Sequence, residues 1–380
     1  MNKKQHFTSL DSLRGFAALF VVFLHSYWSH DFYFLNFIRN SYLFVDLFFI
    51  LSGFVIIYNY HDKLLYNTIS IKQFVLKRFY RLWPLHFSIL LVFLFLEFTK
   101  FIFSTYFGIS GTNIPFSENN GIAFFANLFF FQSFNTFQDA TFNGPSWSIS
   151  VEFFTYIFFA VSIIMFKNKI NLYKYFSLIV IITSSYFLYF EIGHLSVTHD
   201  FGFIRCLFGF FSGIIIFYLY NSSLNFYSRI KNINYFTWTI IELFTIFFLI
   251  YSLSWKDEVN RLDFISFALF FIIIYLFIFS KGLVSKLLNY RLFTYLGKIS
   301  FSIYMVHYFY SILLNNFLKI YYKAPFIVDK WGGYVEINPM VGNIYLIFYL
   351  IIVIISAHYT YEFIEQRYRY GFFKKKSFNK

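Results

Sequence analysis

Five blocks of the sequence place ionisable residues inside or beside long apolar runs, where such groups are costly and call for a functional explanation. The first, LDSLRGFAALFVVFLHS (Leu10 to Ser26), holds Arg14 and His25. These stand about three helical turns apart, so a helix puts them on one face, about 16 Å apart along its axis. The second, FVDLFFILSGF, carries Asp46 near its start. Ser52 and Gly53 lie deeper in it, where small residues favour close helix packing. In KRFYRLWPLH, Arg78 and Arg81 are three apart and share a face. Two planar forks of N–H donors suit phosphate or carboxylate; the plain alternative is basic flanking of a membrane span. GPSWSISVEFF opens with Trp147, an interfacial type, and puts Glu152 one to two turns further in, where a carboxylate needs a partner or a proton. ISFSIYMVHYF holds His307, with Tyr304 on the same face.

The elements that must position these residues follow from composition. Of 380 residues, 59% are hydrophobic and 13% charged, against roughly 25% charged in a soluble domain. That excludes an ordinary soluble enzyme and a disordered chain and leaves an integral membrane protein. The aromatic content of 27% is compositional bias. Ten candidate spans occur at about 9–29, 41–60, 79–99, 147–166, 173–190, 201–220, 235–254, 263–280, 294–318 and 341–364. In lipid these must be helices, and the alternating strands of a barrel are missing. The apolar run after Arg14 has no small-residue cleavage site and reads as a retained span. The expected fold is an all-α polytopic bundle of about ten transmembrane helices, with residues 371–380 as a basic cytoplasmic tail.

Lys and Arg cluster in the alternate loops that lie on one side when both termini are cytoplasmic, which sets that orientation. It also accounts for most of the net charge of +13 without nucleic acid. The longest outer loop, about Lys100 to Ser146, contains an apolar stretch, Ile122 to Phe131, expected on or in the membrane; a second runs from about Lys319 to Met340. The single Cys206 excludes an internal disulfide and a cysteine-based metal site. No internal repeat is visible.

With this topology the ionisable residues fall into two groups. Arg14, Arg78 and Arg81 make a cationic inner mouth. His25, Asp46, Glu152 and His307 lie at middle to outer depth. The arrangement suits an anionic donor entering from the cytoplasm, with general-base chemistry on a hydroxyl above it.

The same residues resemble acyltransferase family 3, a family of membrane-bound acyltransferases. The resemblance rests on the spacing of Arg14 and His25, on FFILSGF, KRFYRLWP, SWSISVEFF, LGKISFSIYMVH (Leu296 to His307) and the closing YEFIEQRYR, in the family's order over nearly the whole chain. One departure is that Glu365 is followed by Gln366 and Arg367, where the family often has Pro. The resemblance implies a single transmembrane acyltransferase domain over residues 1–370 in the plasma (bacterial inner) membrane. It implies transfer of an acyl group, commonly acetyl, from cytoplasmic acyl-CoA, without a metal. The acceptor would be a hydroxyl of an extracytoplasmic glycan, such as a surface polysaccharide or a lipid-linked glycan. Some members carry a further esterase-like domain, for which this chain is too short.

Carried onto this sequence, Arg78 and Arg81 would take the donor's phosphates and Arg14 the pantetheine end. His25 would be the general base and Glu152 the carboxylate that orients it. His307, Asp46 and Trp147 would face the acceptor. Arg205 is expected to pair structurally with a carboxylate. A covalent acyl-His25 stays open, whereas Cys206 reads as a small buried hydrophobe. The alternative function is a transporter, or a lipid-linked glycan flippase or polymerase, with His25 and Glu152 as a proton relay.

Overall fold

The computed structural model describes residues 5–108, 114–225 and 233–368. The basic tail expected at 371–380 lies outside the described residues, as do Lys3, Lys4, Arg229, Lys231 and Arg369, which contribute to the orientation. The apolar runs fold as helices because lipid offers the backbone no hydrogen-bond partner. In chain order these are α1 (Thr8–Leu24), α2 (Phe44–Leu65), α3 (Ile71–Phe107), α4 (Gly121–Leu128), α5 (Trp147–Met165) and α6 (Tyr173–Tyr186). They are followed by α7 (Gly202–Asn225), α8 (Tyr235–Trp255), α9 (Asp263–Phe279), α10 (Arg291–Lys298), α11 (Ser300–Tyr321) and α12 (Pro339–Thr360). Among the described residues the strands are β1 (Phe326–Ile327) and β2 (Tyr334–Val335), an antiparallel pair.

Seven helical stretches among the described residues are long and apolar enough to cross a membrane, those built on α2, α3, α5, α6, α7, α8 and α12. The three other stretches expected to span are helical too. α1 and α9 have 17 residues each, about 26 Å of helix. α11 is longer, but His307, Asn315, Asn316 and Lys319 break its apolar run.

α3 runs well past the expected 79–99. A capping box starts it: Gln73 N–H donates to Ser70 Oγ at 3.2 Å, and Ser70 N–H donates to Gln73 Oε1 at 3.0 Å. Gly108, at φ +64°, ends it in the left-handed conformation that glycine favours. Its 37 residues span about 55 Å, so it outreaches the hydrocarbon at both ends and passes through Pro84 without ending. The Ile122–Phe131 stretch forms α4, which folds back on α3: Trp83 Nε1–H donates to Leu128 O at 3.1 Å, and His86 Nε2 lies 2.8 Å from Asn127 O.

Two helix contacts fix the bundle around α1 and α2. α2 packs on α7 with their backbones touching, because a Cβ on Gly53 would collide with Phe210 O and one on Gly213 with Ile50 O. At α1, a Cβ on Gly297 of α10 would collide with Asp11 O. The loop after α11 closes over the C-terminal end of α1. Val335 N–H donates to Tyr27 O at 2.9 Å, and Ser29 N–H donates to Val335 O at 3.0 Å, an isolated parallel bridge that ties Trp28 to β2.

Gly213→Val should therefore force α2 and α7 apart, at a cost of about 3 kcal/mol. Thermal unfolding of the purified variant in detergent checks this, and a wild-type melting temperature would refute the contact.

Candidate active site

α1, α2, α3, α5 and α11 line a cavity of about 180 Å³. It follows α2 from Val45 to Ile56, about 16 Å of helix, so it is elongated. One end carries guanidiniums: Arg14 from α1, and Arg78 and Arg81 one turn apart on α3. The other end is closed by Phe48, Ser148 and Tyr304, and Ser52, Glu152 and Tyr156 line the side between.

The three guanidiniums differ in their partners. Arg14 Nη1 lies 3.3 Å from Asp11 Oδ1, one turn earlier on its own helix. Arg81 pairs with Glu365, in the π-helical turn Tyr361–Glu365 that follows α12; Ser302 Oγ donates to the second oxygen of that carboxylate at 3.1 Å. Arg78 has no carboxylate partner among the described residues. Its Nη2 donates to Tyr60 OH at 3.0 Å, its plane lies 5.1 Å from the Tyr60 ring, and its Nε–H is unpaired. Of the three it has the most donor capacity left for an anion.

Glu152 Oε1 accepts from Ser52 Oγ at 2.6 Å and from Tyr156 OH at 2.5 Å. One oxygen of the carboxylate is thus consumed, and the second has no hydrogen-bond partner among the described residues. The α2 serine and the α5 pair, one turn apart, hold the carboxylate on the cavity wall.

One layer beyond the cavity lie the two histidines. Tyr304 is the partition. Its OH donates to Pro145 O at 2.7 Å and lies 2.8 Å from Ser148 Oγ, and its backbone carbonyl is 2.6 Å from His307 Nδ1. His307 Nε2 lies 3.2 Å from His25 Nδ1, with the ring centroids 4.9 Å apart. His25 Nδ1 is also 2.8 Å from Val21 O. A carbonyl only accepts, so these contacts assign the proton to Nδ1 in both rings. His25 Nε2 is then a lone-pair acceptor, with no protein partner among the described residues. That is the state a general base requires.

The expected cluster of His25, Asp46, Glu152 and His307 is therefore divided. His25 and His307 meet. Glu152 does not reach His25, whose tautomer is held by the Val21 carbonyl; the carboxylate lies with the guanidiniums instead. Asp46 is also elsewhere, at 0% exposure. Arg205 Nε and Nη2 donate to its two oxygens at 2.9 and 2.8 Å. This is the carboxylate pairing expected of Arg205, and it leaves Asp46 no route to an acceptor. Trp147 is buried in the bundle, with its ring 5.5 Å from the Arg205 guanidinium. A second buried pair, Lys256 with Asp263, joins this one through Tyr42, whose OH donates to Asp263 at 2.9 Å and accepts from Lys256 Nζ at 2.8 Å.

Ser52, Tyr156 and Glu365 are site residues that the sequence reading did not place there. Tyr156 follows Glu152 by four residues on one helix, a visible spacing. Glu365 lies 284 residues from Arg81, and nothing local joins them. Ser52 looked like a packing residue beside Gly53. Among the described residues no group of three or more His, Cys, Asp or Glu side chains is placed to hold a metal ion.

A many-helix membrane bundle with a cationic cavity, and two paired histidines one layer beyond it, is the class that fold and site define. Residues 7–362 match the acyltransferase domain family, and the chain belongs to that family. It is 45% identical over 82 residues to "Protein 2 in picA locus" of Rhizobium radiobacter, a match covering 22% of this chain and 41% of that protein. No solved structure matches the chain.

Asp46→Asn should leave Arg205 buried without a counter-charge and cost about 3–5 kcal/mol. Replacing both residues by Leu and Met should recover most of that. Thermal unfolding in detergent measures both variants; equal stability of Asp46→Asn and wild type would refute the structural role.

Proposed function

We propose that the protein is an integral-membrane O-acyltransferase, multi-pass in the bacterial inner membrane with both termini cytoplasmic. In this reading it moves an acyl group, acetyl above all, from cytoplasmic acyl-CoA to a hydroxyl of an extracytoplasmic glycan. The observation that carries the reading is the sequence of sites along one line: guanidiniums, an elongated cavity, then a histidine with its Nε2 free. An acyl-CoA has the matching order of phosphates, a thin pantetheine arm and a thioester.

Arg78 takes a donor phosphate with its unpaired N–H groups, and Arg81, oriented by Glu365, supports it. Arg14 lines the arm. The open oxygen of Glu152 accepts a hydrogen bond from a donor N–H or O–H in the cavity. The acceptor hydroxyl meets His25 from the opposite side of Tyr304. His25 Nε2 takes its proton as the oxygen attacks the thioester carbonyl. The C–O bond forms, the C–S bond breaks, and the proton passes to the CoA sulfur, giving an ester and free CoA. The Nδ1–H bond to Val21 O steadies the imidazolium between these steps, and His307 packs against the ring to hold its orientation. A proton-relay transporter would gain from His25 and Glu152 in contact, whereas Glu152 bonds to Ser52 and Tyr156 and His25 meets His307.

In proteoliposomes given labelled acetyl-CoA and membrane glycan from a producing strain, His25→Ala should lower label transfer by about 100-fold or more. Transfer equal to wild type, from variant protein shown to be folded, would refute this role of His25.

A further inference from the structure

We propose that Tyr27 and Tyr308 form the acceptor subsite: two phenols beside His25 that bond the hydroxyls next to the one acylated. The site then takes a ring bearing adjacent hydroxyls and passes over an alcohol with a single one. This rests on the acyl-transfer reading above and goes further by naming the residues that hold the acceptor and the pattern they recognise.

His25 is half-buried, and so are Tyr27 and Tyr308, so all three side chains border accessible space. The two phenol centroids lie 5.8 and 5.5 Å from that of His25, with both ring planes nearly perpendicular to the imidazole. They come from separate elements. Tyr27 follows α1, and its backbone carbonyl accepts from Val335 N–H of β2 at 2.9 Å. Tyr308 stands one turn beyond Tyr304 on α11. Its ring lies nearly parallel to that of Phe93 on α3, centroids 6.3 Å apart, and a Cβ on Gly144 would come within 3.4 Å of it. Both residues are thus held in place, yet neither phenol oxygen has a hydrogen-bond partner among the described residues. The tyrosines around them differ. Tyr33 OH donates to Asp329 Oδ2 at 3.1 Å, Tyr304 OH to Pro145 O at 2.7 Å, and Tyr349 OH to His307 O at 3.2 Å. Phenols in a protein interior usually pair in this way. The two beside the base keep both donor and acceptor capacity for a ligand. An acceptor oxygen at His25 Nε2 brings the substituents of its adjoining carbons up to these rings. Hydroxyls there exchange hydrogen bonds with the phenols. Hydrocarbon there strips the phenol oxygens of water and leaves them unpaired, which is costly.

The test is initial-rate kinetics of the full chain in detergent. The donor is labelled acetyl-CoA, and the acceptor is oligosaccharide released from the membrane glycan of a strain lacking the protein. Tyr27→Phe and Tyr308→Phe each remove one oxygen and keep the ring packing. Each should raise the apparent KM for the oligosaccharide about three- to tenfold, the loss of one hydrogen bond, with the KM for acetyl-CoA unchanged. A wild-type acceptor KM in both variants, or an equal rise in the KM for acetyl-CoA, would overturn the subsite and leave the acyl-transfer reading standing. No transfer by folded wild-type protein would overturn both. Thermal unfolding checks that each variant is folded, and should one not fold, the other carries the same comparison.

Discussion

Charge cannot lie unpaired in hydrocarbon, and the arrangement of this protein follows from how it meets that constraint. Removing a guanidinium or an ammonium from water costs several kcal/mol even after relaxation. The bundle answers with a carboxylate for nearly every inward cation: Asp46 for Arg205, Asp263 for Lys256, Glu365 for Arg81 and Asp11 for Arg14. Arg39 is covered differently, by the Tyr33 ring at 4.1 Å and by the Phe23 carbonyl at 3.3 Å. Arg78 has phenol and ring contacts but no acid among the described residues, and it faces the cavity. Among the three guanidiniums of the cavity, Arg78 is thus the one whose charge no carboxylate among the described residues meets.

Two helices carry the line from cations to histidines. α1 holds Arg14 and leads into His25 just past its end, and α11 holds Tyr304 and His307. Their register is therefore the critical geometry, and α1 is fixed from outside. Gly297 lets α10 press on the first turns of α1, and β2 bonds the residues just after His25. A slip of either helix by one residue would turn a side chain by about 100° and break the line.

Much of this was legible in the sequence. The helical class and the paired guanidiniums of α3 followed from hydropathy and the 3.6-residue period, because both are local properties. The pairing of Arg205 with a carboxylate followed from its cost in lipid. Depth alone misled for Glu152 and Asp46. Both were placed with His25 because they lie at similar heights, but height says nothing of which way a helix face turns. Glu152 turns to Ser52 and Tyr156, and Asp46 to Arg205. Glu365 was out of reach for another reason: its partner is 284 residues away, and only the tertiary packing of the π-helical turn after α12 against α3 brings them together. Span length was less legible: α1 and α9 have 17 residues each, and polar residues interrupt the apolar run of α11.

The central claim is that an acyl-CoA lies along the cavity with its phosphates at Arg78 and Arg81 and its sulfur toward Tyr304 and the histidines. An experimental structure of the protein with CoA, by cryo-electron microscopy in a lipid nanodisc, tests this most directly. The account predicts phosphate density at the guanidinium end and the thiol within reach of the partition before His25. CoA bound outside this cavity, or in it with the thiol at the guanidinium end, would contradict it.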